Sequence, residues 1–125
     1  MNVLTPIQPN GSTYRITVPA TASTPLLITP ASNGTNTFAS LLNTGTAFVV
    51  ISIGLTSSTT LTPTIPTTGT AFPPAGTWGT VSQAIILPPS MNYPIIIPAP
   101  SRPFYVSIIG SAANGEFFIT PLNAG

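Results

Sequence analysis

Histidine, cysteine, lysine and aspartate are all absent from this 125-residue sequence, and charge of either sign is almost missing. The charged side chains are Arg15, Arg102 and Glu116, so charged residues make up 2% of the chain, against roughly 25% in an ordinary globular domain. Without histidine, neither a Ser-His-Asp arrangement nor most metal sites can be assembled. With a single side-chain carboxylate, the paired acids of glycoside hydrolysis are missing as well. General acid–base catalysis needs a titratable group, so the sequence predicts no enzyme, no catalytic residue and no cofactor- or metal-binding set. Two arginines cannot neutralise a run of phosphates, which argues against nucleic acid as a partner. The lack of cysteine rules out disulfides and thiol chemistry and leaves the redox compartment open.

Long apolar runs are lacking too. No window approaches the ~18 consecutive apolar residues of a membrane-spanning helix, and MNVLTPIQPNG has no basic segment leading into an apolar one, so neither a membrane span nor a signal peptide is expected. Yet 42% of the residues are hydrophobic, far too many for a disordered polar chain. Threonine, serine, asparagine and backbone amides are left to meet water. A net charge of +1 removes the self-repulsion that keeps proteins apart and favours association.

What is present is a series of short β-patterns separated by turn residues. The run Phe48–Ile53 is almost entirely β-branched or aromatic and ends at Gly54, which suits a central strand covered on both faces. With the preceding TFASLLN it suggests a hairpin over Thr37–Gly54, folded back at Asn43-Thr44-Gly45-Thr46. Tyr14–Val18 alternates, with Tyr14, Ile16 and Val18 on one face and Arg15 and Thr17 on the other. Further strands are expected at Leu26–Ile28, Val81–Leu87, Tyr93–Ile97, Phe104–Ile109 and Glu116–Thr120, the last ending at Pro121. Ala113-Asn114-Gly115 carries a hairpin signal between the final two. The 16 prolines disfavour long helices and suit strand ends and edges, where they block aggregation. The expected fold is a single all-β domain, an antiparallel β-sandwich of jelly-roll type. Residues 1–12 form an extended arm, 13–125 the sandwich, and 55–79 a Thr/Pro-rich excursion within it.

Several residues invite a functional reading. Phe72 and Trp78 in the excursion either anchor a partner or cap the chain's own core. Glu116 pairs either with Arg102 at the start of the neighbouring strand or leaves Arg102 to a carboxylate of another subunit. Arg15 is expected as a solvated charge. Tyr14, Trp78, Tyr93 and Tyr105 form a candidate aromatic platform for a sugar. Asn10-Gly11-Ser12 and Asn33-Gly34-Thr35 match the glycosylation pattern but are expected as turns. The threonines of 56–70 follow no fixed period and do not suit the flat, regular array of an ice-binding surface.

The segment Ile16–Leu26 (ITVPATASTPL) resembles the opening strand pair of small tailed-phage virion proteins. Leu42–Val49 followed by Gly54 resembles their central strand–turn–strand unit, and Phe104–Ile109, Gly115 and Phe118–Pro121 are similar to their closing strands. Over residues 13–54 and 81–121 the pattern resembles the head decoration, or cement, proteins of phage capsids. The resemblance implies a β-sandwich or jelly roll clamped as a homodimer or homotrimer on the major capsid protein. It places the chain at the capsid surface of the virion, after assembly in the host cytoplasm. A receptor- or glycan-binding module, or a structural component, of a phage tail or fibre is the alternative.

No side chain here has an ordinary pKa between ~5 and ~9, and screening has few charges to act on. Self-association is therefore expected to stay nearly flat across that pH range and to survive moderate salt. Sedimentation velocity over a pH and salt series checks this. A sharp dissociation midpoint near pH ~6.5 or ~0.3 M salt would mean that a few charges control assembly.

Overall fold

The computed structural model describes residues 7–21, 23–31, 36–55, 63, 65, 69 and 83–124. Among them there is no helix. Nine strands form two antiparallel sheets: β1 (Ile7–Pro9), β2 (Tyr14–Thr17), β3 (Leu26–Ile28), β4 (Thr37–Asn43), β5 (Val49–Gly54), β6 (Gln83–Leu87), β7 (Ile95–Pro98), β8 (Phe104–Gly110) and β9 (Glu116–Ala124). The first sheet runs β1-β9-β4-β7 with β2 also on β9, and the second runs β3-β8-β5-β6. The chain is thus all-β and β-sandwich-like.

Alternation along the strands builds the core, because successive side chains point to opposite faces. From the first sheet, Ala39, Leu41, Phe117 and Ile119 turn inward. They join one buried cluster with Ile28, Val49, Ile51, Ile53, Leu87, Phe104, Val106 and Ile108 of the second. The β5 strand matches the expectation of a central strand. It lies between β8 and β6, and Val49 to Ile53 are buried on both faces.

The expected hairpin over Thr37–Gly54 is not one. Strand β4 pairs with β7 and β9, whereas β5 pairs with β6 and β8. Residues 44–48 therefore carry the chain across from one sheet to the other. The same correction applies at Ala113-Asn114-Gly115: β8 and β9 belong to different sheets, and this turn too is a crossing. The two crossings touch. A Cβ on Gly45 would lie 2.9 Å from the Gly115 Cα, and one on Gly115 would lie 3.1 Å from the Gly45 Cα. Only glycine permits that approach of backbones.

Asn43 holds the junction together. Its fully buried amide donates to the Ala47 carbonyl at 2.9 Å and the Pro88 carbonyl at 3.0 Å, and its Oδ1 accepts from the Gly45 N–H at 3.1 Å. The main chain adds Thr44 N–H to Glu116 O, Met91 N–H to Asn43 O and Ser90 N–H to Gly45 O. One side chain thus ties the β4–β5 crossing to the turn after β6.

The last strand does not end at Pro121 but continues to Ala124. A proline within an interior strand normally costs a ladder bond, and its orientation explains why this one is tolerated. The N–H and C=O of a strand residue point toward the same neighbour. Ala124 N–H donates to Asn36 O on the β4 side, so the odd-numbered Pro121 faces β1 and β2. Its carbonyl indeed accepts from Asn10 N–H at 2.8 Å. On that side the ladder is broken, because residues 10–13 lie opposite only residues 120 and 121. The missing proline donor therefore coincides with the break between β1 and β2. Gly11 sits there with φ +132, and a Cβ would press on Pro121 Cγ at 3.2 Å. The expected arm thus supplies β1, laid along the edge of β9.

Replacing Asn43 with alanine strands the Ala47 and Pro88 carbonyls and the Gly45 N–H. The three bonds are part-buried and Pro88 is exposed, so water takes over part of each, and the Asn43→Ala protein is expected to lose about 1–2 kcal/mol of stability. Urea unfolding followed by far-ultraviolet circular dichroism checks this, and a loss under about 0.5 kcal/mol would contradict the role given to this side chain.

Candidate functional site

By register, Phe38, Ser40 and Leu42 of β4, Phe118, Thr120 and Leu122 of β9, and Ile96 and Pro98 of β7 share the outer face of the first sheet. Six residues there, Thr13, Ser40, Leu42, Pro94, Phe118 and Thr120, line an open depression of about 280 Å³. Its lining is mostly apolar and includes three hydroxyls, two of which, Thr13 Oγ1 and Thr120 Oγ1, bond to each other at 2.7 Å. A surface of this kind offers shape, apolar area and a few hydroxyls. It holds no acid, base or nucleophile–base pair, and no group of three possible metal ligands occurs among the described residues.

Charge enters this face at one end. Arg15 Nε lies 3.0 Å from Glu116 Oε2, on adjoining strands where Thr17 is opposite Glu116 and Arg15 opposite Phe118. This corrects two expectations. Glu116 pairs with Arg15 and not with Arg102, and Arg15 is a paired charge and not merely a solvated one. The reason is topological: β9 takes β2 as its neighbour, while β8, which follows Arg102, lies in the other sheet. Arg102 is exposed and forms no ion pair among the described residues. The hydrogen bond from Arg15, reinforced by its charge and by Thr17, holds the Glu116 carboxyl below its ordinary value in spite of partial desolvation. The Arg15 guanidinium is correspondingly raised, first by that hydrogen bond.

The three described tyrosines do not share a surface. Tyr14 packs against the core and its hydroxyl accepts from Thr29 N–H at 3.2 Å. Tyr105 is on β8, opposite Leu27 and Gly54 in the second sheet, and Tyr93 is 81% exposed in the turn before β7. Trp78 and Phe72 lie outside the described residues, as does Asn33-Gly34-Thr35. The Asn10 side chain is buried, at 5% exposure, where residues 10–13 join β1 to β2. The depression itself was missed by sequence reasoning. Its residues come from four separate stretches of chain, and the only local signal was the partly apolar outward set Phe38, Leu42 and Phe118.

No protein-family model matches the sequence, no curated protein matches it, and no solved structure matches it.

The lowered Glu116 value fixes the sign of the acid response. The pair stabilises the fold fully above the unfolded carboxyl value of about 4.5, and that contribution disappears as pH falls through the lower folded value. Thermal midpoints measured from pH ~7 down to ~2 are expected to fall only below pH ~4.5. In Glu116→Gln that part of the fall should vanish. An unchanged acid limb in the variant would show that the pair is energetically silent.

Proposed function

We propose that this chain is a structural virion protein that binds the outer surface of a phage capsid and cements the shell through protein–protein contacts. The observation that carries the reading is the combination of strand order with composition. Setting β1 aside, the orders β2-β9-β4-β7 and β3-β8-β5-β6 are those of two four-stranded sheets built from two Greek keys, which supports a jelly roll, an architecture used by viral capsid and lectin domains. The chain carrying it has 2% charged residues, and its described outer face offers apolar area, hydroxyls and one ion pair.

A cement protein acts by removing surface from water, at about 25 cal/mol for each square ångström of apolar area buried. The outer face of the first sheet supplies such area, with Leu42 and Phe118 in its depression and Ile96 beside them. We assign the contact with the major capsid protein to this face. Shape and apolar area carry the contact, so specificity rests on fit and on the hydroxyls of Thr13, Ser40 and Thr120.

The test is cosedimentation of the purified chain with expanded capsids that lack it, together with the temperature at which those capsids rupture. Saturable binding and a higher rupture temperature are expected. Leu42→Glu places a charge in the depression without entering the core, and is expected to weaken binding by about tenfold or more while the isolated protein unfolds as before. Capsids that neither bind the chain nor gain stability would overturn the reading. Binding unaffected by Leu42→Glu would move the contact to another face.

A further inference from the structure

Each sheet edge presents backbone groups that another strand can use, and the hydrogen-bond register shows which of them are free. On β7, Ala99 N–H donates to Thr37 O, so odd-numbered residues address β4 while Ile96 and Pro98 face outward. Pro98, and Pro94 just before the strand, lack the N–H a new strand would need. On β3, Leu27 faces outward between Pro25 and Thr29, and the Thr29 N–H is already taken by the Tyr14 hydroxyl. On β1 the outward residues are Ile7 and Pro9, and on β2 they are Arg15 and Thr17, which put a charge on that edge. Four edges are therefore short, proline-blocked, capped or charged.

The β6 edge differs. Ser111 N–H donates to Phe48 O, so even-numbered residues of β5 address β8, and Val49, Ile51 and Ile53 address β6. Their partners Leu87, Ile85 and Gln83 face β5, which leaves the N–H and C=O of both Ala84 and Ile86 directed outward. No hydrogen bond among the described residues uses them, and no proline or charge lies within the strand. The Ile86 side chain is 48% exposed. The flank beside this edge is incompletely closed, as is the opposite flank, where Leu26 lies opposite the buried Val106 and is 37% exposed. By register Ile95 points inward, yet it remains 38% exposed, and Ile85 and Ile97 are only partly buried.

We propose that β6 pairs antiparallel with β6 of a second copy of this chain, about a two-fold axis at Ile85. In that register Ala84 of each copy meets Ile86 of the other as a hydrogen-bonded pair, giving about four inter-chain bonds. The two Ile85 residues face each other as a non-hydrogen-bonded pair. The occupant is a second copy because the edge is self-complementary. Around a two-fold axis each group meets its own symmetry mate, a position where a charge would repel itself, and neither β6 nor β7 carries one. The two second sheets then join into one continuous sheet, and the partly exposed Ile85, Ile95 and Ile97 gain cover. This pairing stands on edge geometry and does not depend on the virion reading, since it forms without a capsid.

The experiment uses the purified full chain alone. Sedimentation equilibrium is expected to give a dimer, and amide hydrogen exchange at Ala84 and Ile86 is expected to slow as concentration rises through the dimer Kd. The chain has no cysteine, so Ile85→Cys introduces a single thiol at the axis, where facing Cα atoms about 4.5 Å apart fall within disulfide reach. Mild oxidation should link Ile85→Cys into covalent dimers and leave Leu27→Cys, on the exposed β3 edge, largely unlinked. Ile86→Lys should raise the dimer Kd by about tenfold or more with the thermal midpoint of the monomer retained. A wild-type chain that stays monomeric overturns the proposal. So does a dimer in which the Ala84 and Ile86 amides exchange at the monomer rate, or one in which Leu27→Cys links as readily as Ile85→Cys. The exchange measurement needs no variant, so a substitution that fails to fold does not remove the test.

Discussion

Two sheet-to-sheet crossings meet at a single point, and the architecture depends on their being allowed to touch. The β4–β5 and β8–β9 connections approach to backbone contact at Gly45 and Gly115, and Asn43 satisfies the groups that the crossing strips from the ladders. Buried backbone groups need partners wherever a strand leaves its sheet. Here one amide side chain supplies two donors and an acceptor at the position where three segments converge. The depression on the outer face adjoins this junction. Leu42 stands one residue before Asn43, and Phe118 lies opposite Leu42 in the register.

With so few charges, the chain keeps its sheets finite by other means. Natural sheets commonly blunt their edges with lysine or inward-pointing charge, neither of which is available here. Proline replaces them. Pro9, Pro94 and Pro98 sit at outward-facing edge positions where an N–H would otherwise be offered. Pro121 uses the same property in reverse, with its missing donor turned into the gap between β1 and β2. Among the described residues the Arg15–Glu116 pair is the one ion pair, and it stands at the end of the outer face where Arg15 lies opposite Phe118 of the depression.

Much of the strand content was legible because alternation is local. Tyr14–Thr17, Leu26–Ile28, Phe104–Gly110 and the doubly buried Val49–Ile53 all follow from period-two patterns and from β-branched runs. The pairing of those strands was not legible. Asn-Thr-Gly-Thr and Ala-Asn-Gly are turn sequences whether the next strand returns to the same sheet or crosses to the other, and the difference lies in packing between distant residues. The partner of Glu116 illustrates the same limit. Arg102 is nearer in sequence, but Arg15 is on the strand that lies beside β9. Pro121 misled for a third reason: whether proline ends a strand depends on which neighbour its nitrogen faces. The outer-face depression had almost no sequence signal, since it is assembled by register from residues 13, 40, 42, 94, 118 and 120.

The most direct measurement is the copy number of this protein in purified phage particles relative to the major capsid protein, by quantitative mass spectrometry. A cement protein that reinforces every facet of a shell must be present in a simple ratio to the capsid subunits, near one to one or a small fraction of it. That ratio is the result predicted here. A handful of copies per particle would place the chain at a vertex or in the tail, and its absence from particles would contradict the virion reading outright.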